Sequence, residues 1–183
     1  MSTLSKPVET HPTTQDLLDY IQASPTPHHC VAETERRLVE AGFTRLEEGE
    51  RWKLEAGKGY FVHRGGALLA FRTGLEPAAE AGFRLLGAHT DSPNLRIKPQ
   101  PDVRAEGYAQ LGVEVYGGVL THTWLDRDLG LAGRVMIAGE APGQVETRLV
   151  KVDRPLLRIP ALAIHLDREV VTKGLVLNSQ RHL

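Results

Sequence analysis

The chain has 183 residues, enough for a sizeable core, since at about 150 residues folding already removes roughly 68–70% of the unfolded chain's surface from water. Its 22 Lys and Arg nearly balance 23 Asp and Glu, and no long run of either sign occurs, which argues against a nucleic-acid or anionic-membrane partner and leaves a small or peptide ligand open. The single cysteine, Cys30, excludes an intrachain disulfide; the polar start from Met1 to Gln15 lacks the apolar core of a signal peptide and no run approaches the ~18 apolar residues of a membrane span, so the expected location is the cytoplasm.

Thr13 followed by Asp16 predicts a helix start, and Leu17, Leu18 and Ile21 then mark one apolar face before Ser24-Pro25 ends it. A second helix is predicted after Pro27, because Val31, Thr34, Leu38 and Ala41 recur at helical spacing and Gly42 stands as a stop. The period then changes. Residues 60–64 and 67–72 flank Gly65-Gly66, the two-residue glycine signal of a tight hairpin. Residues 83–88 predict a third strand, with the loop of His89 at its carboxyl end. Beyond Pro99 the texture becomes short alternating runs punctuated by glycine and proline, at 112–116, 134–138 and 145–152, which read as mainly antiparallel strands. The break at Pro99 to Pro101 divides the chain into the start of an α/β domain, 1–100, and a β-rich part, 101–183.

The stretch Gly87-Ala88-His89-Thr90-Asp91-Ser92-Pro93-Asn94-Leu95-Arg96-Ile97-Lys98-Pro99 carries the most chemical information. In α/β sheets ligands collect outside the carboxyl ends of strands, where a histidine reaches a cleft. Neutral imidazole is the commonest zinc ligand. An aspartate two residues on can accept the hydrogen bond from the imidazole's other nitrogen, fixing its tautomer and raising its basicity. A bare His-x-Asp is also what a loop histidine bonded to its neighbour looks like. His165, between Ile164 and Leu166, reads from the residues alone as a strand histidine satisfied by a backbone carbonyl. For His11, His28, His29, His63, His122 and His182 a surface or turn role fits best. Asp126-Arg127-Asp128 reads as an ion-pair network at a turn or interface, and residues 112–118 lack the order of a phosphate loop.

The segment from Gly87 to Lys98 resembles the first metal-binding loop of the aspartyl aminopeptidases, a family of dinuclear zinc peptidases. Further matches are Ser24-Pro25-Thr26-Pro27-His28, Val115-Tyr116-Gly117-Gly118, Thr123-Trp124-Leu125-Asp126-Arg127-Asp128-Leu129, Leu131-Ala132-Gly133-Arg134-Val135, Arg154-Pro155-Leu156-Leu157-Arg158-Ile159-Pro160 and Leu162-Ala163-Ile164-His165-Leu166. They occur in the family's order from about Thr13 to Leu183. The resemblance implies a three-layer α/β aminopeptidase domain, helices on a mixed sheet, interrupted by a mainly antiparallel β domain that assembles a homo-oligomer. It implies that His89 binds one of two Zn2+ ions, that Asp91 supports it, and that peptides with an acidic first residue are the substrates. It places His165 at an active site, contacting substrate across subunits, with direct zinc binding left open. The bridging aspartate, the glutamate pair that includes the general base, and the last aspartate and histidine belong to family sequence that follows the inserted domain, beyond Leu183. The catalytic domain is therefore expected to be incomplete here, and a non-catalytic, self-associating module is the alternative expectation.

Overall fold

Proline has no N–H to leave unpaired, so it suits the first position of a helix, and both long helices of the chain begin with one. In the computed structural model, which describes residues 10–183, α1 spans Pro12–Ala23 and α2 spans Pro27–Glu40. Of the polar start read from the sequence, positions 1–9 lie outside the described residues. The cap of α1 is His11, whose Nδ1 accepts from the Thr13 amide at 3.3 Å, and not Thr13 itself, because Pro12 takes the first helical position. Thr26 caps α2, its hydroxyl accepting from the His29 amide at 3.3 Å. The helix ends before Gly42, which adopts a left-handed φ of +79°, as a stop residue should.

The two helices are clasped by polar contacts. The Tyr20 hydroxyl lies 2.7 Å from Thr34 Oγ1 and 3.1 Å from Cys30 Sγ, and burial, then the Cys30 contact, raises the Tyr20 pKa. Arg37 stacks over the Tyr20 ring at 5.1 Å and pairs with Asp16 at 2.8 Å. On α2, hydrogen bonds from Arg36 and Arg37 lower the Glu33 pKa from 4.5 to about 2. The predicted apolar face of α1 is largely open, Leu17, Leu18 and Ile21 all being exposed.

The sheet beneath α2 is mixed. Strand β1 (Thr44–Arg45) runs parallel to β2 (Gly59–Arg64), and β2 is antiparallel to β3 (Ala67–Arg72), with Tyr60 opposite Phe71 and Arg64 opposite Ala67. As the central strand, β2 is covered on both faces: Tyr60, Phe61 and Val62 are buried in succession and, with Val31 and Cys30 of α2, form the core. The hairpin is the one predicted, its turn made by Gly65 at φ +60°, a conformation that costs glycine little. Gly66 lies so close to α2 that an added Cβ would meet Pro27 Cβ at 3.3 Å.

Residues 83–88 do not form the predicted strand. Phe83, Leu85 and Leu86 are 80%, 87% and 104% exposed, and an apolar run becomes a strand only when a neighbour satisfies its backbone groups. The short helix α3 (Ala78–Ala81) precedes it.

Strand β4 (Asn94–Ala105) pairs antiparallel with β5 (Tyr108–Tyr116), from Asn94 opposite Tyr116 to Ala105 opposite Tyr108. Pro99 to Pro101, a break by composition, lies inside β4, where the register shifts between Ile97 and Asp102. Proline cannot donate to a ladder and is tolerated at such an irregularity. Strands β6 (Leu129–Ala138) and β7 (Val145–Leu157) form a second two-stranded sheet, closed by the Gly139 amide on the Gln144 carbonyl at 2.9 Å. The predicted runs 112–116, 134–138 and 145–152 thus fall within β5, β6 and β7, each longer than its apolar signal. A 3₁₀ turn (Thr121–Trp124) and helix α4 (Val170–Lys173) complete the elements. Contacts divide the chain into one part reaching Asp91 together with Gly133–Leu149, and another comprising Ser92–Ala132 and Val150–Leu183.

Candidate functional site

A carbonyl oxygen can only accept a hydrogen bond, so a histidine nitrogen that faces one must carry the proton. His89 Nδ1 lies 2.6 Å from the main-chain carbonyl oxygen of Asp91. Nδ1 is therefore the donor, and in the neutral ring Nε2 keeps its lone pair. The His89 side chain is 80% exposed, which leaves Nε2 open to a ligand. This is the tautomer and orientation that a metal-bound imidazole needs. The Asp91 carboxylate stands farther off, with Oδ1 3.6 Å from Nδ1. The hydrogen bond expected for the side chain of Asp91 is thus made by its backbone, and the carboxylate contributes a nearby negative charge.

The loop's course follows from its sequence. Ser92 precedes Pro93 and so is steered to extended backbone, and its carbonyl accepts from Asn94 Nδ2 at 3.0 Å. Between the two site residues, the Thr90 hydroxyl donates to the Gly66 carbonyl at 2.8 Å. Nothing in the sequence marked Thr90 except its place inside the motif.

The donor set meets part of what zinc requires. His89 fits one ligand position: a neutral nitrogen, oriented by a carbonyl and accessible. A catalytic zinc takes about three protein ligands, and among the described residues no group of three or more His, Cys, Asp or Glu is gathered to hold a metal ion.

His165 belongs to the other part of the chain. It is exposed, on a turn closed by the Leu166 and Asp167 amides, which reach the Ala163 carbonyl at 2.8 and 3.2 Å. The strand histidine that its apolar neighbours suggested is not what forms, and Ile164 and Leu166 are themselves exposed. The remaining histidines are mostly structural. His29 is buried beside the Thr26 hydroxyl at 2.7 Å, His63 bridges Glu35 and the Gly65 carbonyl at 2.9 and 3.0 Å, and His182 Nδ1 accepts from the Asn178 amide at 3.1 Å.

The Asp126-Arg127-Asp128 run is architectural, as expected. Arg158 donates to Asp128 Oδ1 at 3.2 Å and to the Asp126 carbonyl at 3.0 Å. Asp126 Oδ1 accepts from the Ala161 amide at 3.3 Å, and the Asp126 amide reaches the Ile159 carbonyl at 2.8 Å. Together they lock the turn before β6 to the segment after β7. No helix among the described residues is long and apolar enough to cross a membrane.

Comparison with known proteins bears on the family of the chain. The family model described as "Aminopeptidase I zinc metalloprotease (M18)" matches residues 20–183. A "Probable M18 family aminopeptidase 2" of Streptomyces coelicolor is 54% identical over 170 residues, covering 93% of this chain and 38% of the relative. A "Probable aspartyl aminopeptidase" of Ricinus communis is 46% identical over 171 residues, covering 92% of this chain and 35% of the relative. Among solved structures, the chain matches one in a cryo-EM structure of an Ape4 and Nbr1 complex, at 45% identity and a TM-score of 0.87, over 92% of this chain and 32% of that one. It also matches the S. cerevisiae mApe1 dodecamer, at 33% identity and a TM-score of 0.75, over 84% of this chain and 36% of that one. The chain thus spans little more than a third of the length of these relatives.

Proposed function

Because the chain belongs to the aminopeptidase I zinc metalloprotease (M18) family, we propose that it is the amino-terminal part of an enzyme that releases the first residue of a peptide by zinc-assisted hydrolysis. The observation that carries this reading is the state of His89: Nδ1 donates to the Asp91 carbonyl at 2.6 Å and Nε2 is open. Zinc in such a site supplies a Lewis acid for the scissile carbonyl and lowers the pKa of a water from about 15.7 toward 7.

Each residue of this chain then has a stated task. His89 holds one of two zinc ions through Nε2. Asp91 fixes the His89 ring by its backbone carbonyl and adds negative charge beside a cationic site. His165, exposed on its turn, contacts substrate in a neighbouring subunit, with zinc ligation as the competing role. The remaining ligands and the general base come from sequence like that which the relatives have beyond the matched third. The α/β part, 1–100, belongs to a three-layer aminopeptidase domain, and the β-rich part, 101–183, mediates assembly, with β4 passing from one to the other. The dodecameric relative supports a homo-oligomer, and the aspartyl aminopeptidase of Ricinus supports an acidic first residue. We place the protein in the cytoplasm.

The test joins these 183 residues to the remainder found in the relatives and measures release of the first residue from aspartyl, glutamyl and neutral peptides with zinc. Faster turnover of the acidic peptides, lost in His89→Ala, is the expected result. Turnover that survives His89→Ala would remove His89 from the site. A second reading, a self-associating module without catalysis, is favoured by there being one zinc-fitted histidine and no larger ligand group among the described residues. It predicts oligomers of the chain alone that release no amino acid.

A further inference from the structure

We propose that Thr90 is a positioning residue for His89: its hydroxyl, donated to the Gly66 carbonyl, ties the metal-binding loop to the β2–β3 turn. The inference rests on the reading of His89 as a zinc ligand and adds the device that places it. A ligand loop must be held to within about 0.5 Å of its working geometry by groups outside the ligand itself. Within this chain the residues leading to His89 add little of that constraint, Phe83, Leu85 and Leu86 all being exposed. The His89–Asp91 hydrogen bond spans two residues. It orients the ring within its own loop.

Thr90 does something different, reaching 24 residues back along the chain with a 2.8 Å bond from a part-buried hydroxyl. Its acceptor is well anchored. Gly66 closes the hairpin whose strand β2 carries Tyr60, Phe61 and Val62 of the core. On one side of the turn His63 Nε2 donates to the Gly65 carbonyl at 3.0 Å. On the other, Gly66 approaches α2 so closely that a Cβ would lie 3.3 Å from Pro27 Cβ and 3.7 Å from His28 Cε1. A chain of contacts therefore runs from the start of α2, through the turn, to the residue next to His89. A threonine methyl alone could fill the same space, but only the hydroxyl can satisfy the carbonyl.

The experiment uses the protein that contains these residues joined to the remainder its relatives have, with two readouts on each variant. One is zinc affinity by competition with a chelator. The other is hydrogen exchange at the amides of residues 89–91 in the metal-free protein. Thr90→Val keeps the shape and removes the donor; it should weaken zinc by roughly 10–100-fold, as loss of an orienting partner does, and speed exchange in the loop about tenfold or more. Thr90→Ser should restore both to near the parent values. Gly66→Ala, which pushes the acceptor away from Pro27, should weaken zinc too, and combining it with Thr90→Val should add little, because both act through one bond.

His89→Ala separates the two claims. If it releases zinc while Thr90→Val leaves affinity and loop exchange at parent values, the positioning role is overturned and the ligand role stands. If His89→Ala retains zinc, the ligand role falls, and so does the positioning of a ligand by Thr90. Should Thr90→Val not fold, a Gly66→Ala protein with unchanged zinc affinity and loop exchange would overturn the proposal equally.

Discussion

Replacing Asp91 by asparagine removes a charge while leaving the group that holds His89 in place. The acceptor at 2.6 Å from Nδ1 is the main-chain carbonyl, which the substitution retains. What is lost is the carboxylate, whose Oδ1 lies 3.6 Å from the ring nitrogen. A unit charge at that distance interacts with a cationic imidazole–metal group by about 1 kcal/mol at the dielectric constant of water, and by about 4–5 kcal/mol at an effective value of 20. At the exposure these side chains have in this chain, 80% for His89 and 40% for Asp91, the water-like value applies. Asp91→Asn should therefore weaken zinc by roughly fivefold, at about 1.4 kcal/mol per factor of ten, below the roughly 10–100-fold range for loss of an orienting hydrogen bond. Chelator competition on the longer protein measures this directly. Repeating it at about 0.5 M salt should shrink the difference, since screening acts on exposed charges. A loss of 100-fold or more with the fold intact and no salt dependence would instead make the carboxylate itself the group that holds ring or metal.

Four further outcomes are expected. Phe61, wholly buried, should cost about 3–5 kcal/mol as alanine in urea unfolding, whereas Leu17→Ala on the exposed face of α1 should stay within about 0.5 kcal/mol. Glu33, held at about 2 instead of 4.5 by Arg36 and Arg37, binds fewer protons folded than unfolded, so its contribution is present above pH 4.5 and fades as pH falls toward 2. The stability difference between the parent and Glu33→Gln, about 1 kcal/mol for a surface pair, should shrink over that window in acid titrations; a gap that persists at pH 2 would contradict it. For His165, mixed oligomers of longer His165→Ala and His89→Ala proteins should regain some activity, because some sites would combine an intact metal set with an intact neighbour. No recovery in verified mixtures would place His165 in its own subunit's site.

Much of the first part of the fold was legible because its signals are local. Pro27 opens α2, Gly42 follows its end, and Gly65-Gly66 fixes a hairpin whose register needs no distant partner. The cap of α1 was misplaced because Pro12 claims the first helical position and hands capping to His11. Residues 83–88 have strand-like side chains, yet strand formation is decided by a neighbouring backbone that composition does not report. At β4, Pro99 and Pro101 read as a break in composition, and the strand carries both at a register shift between Ile97 and Asp102. At the candidate site, His89 and Asp91 were legible as a pair. Which atom of Asp91 faces the ring was not, because a backbone carbonyl is the same whatever side chain it carries. Thr90 was silent for a related reason: its partner Gly66 is a main-chain oxygen remote in sequence. His165 looked like a strand residue from Ile164 and Leu166, and the turn at Ala163 overrode them.

The most direct measurement is the zinc-loaded structure of the longer protein, read at the two nitrogens of His89. The geometry predicts zinc on Nε2 at about 2.0–2.1 Å, with Nδ1 still donating to the Asp91 carbonyl. Zinc bound through Nδ1, or a fully loaded site in which His89 touches no metal, would contradict the account.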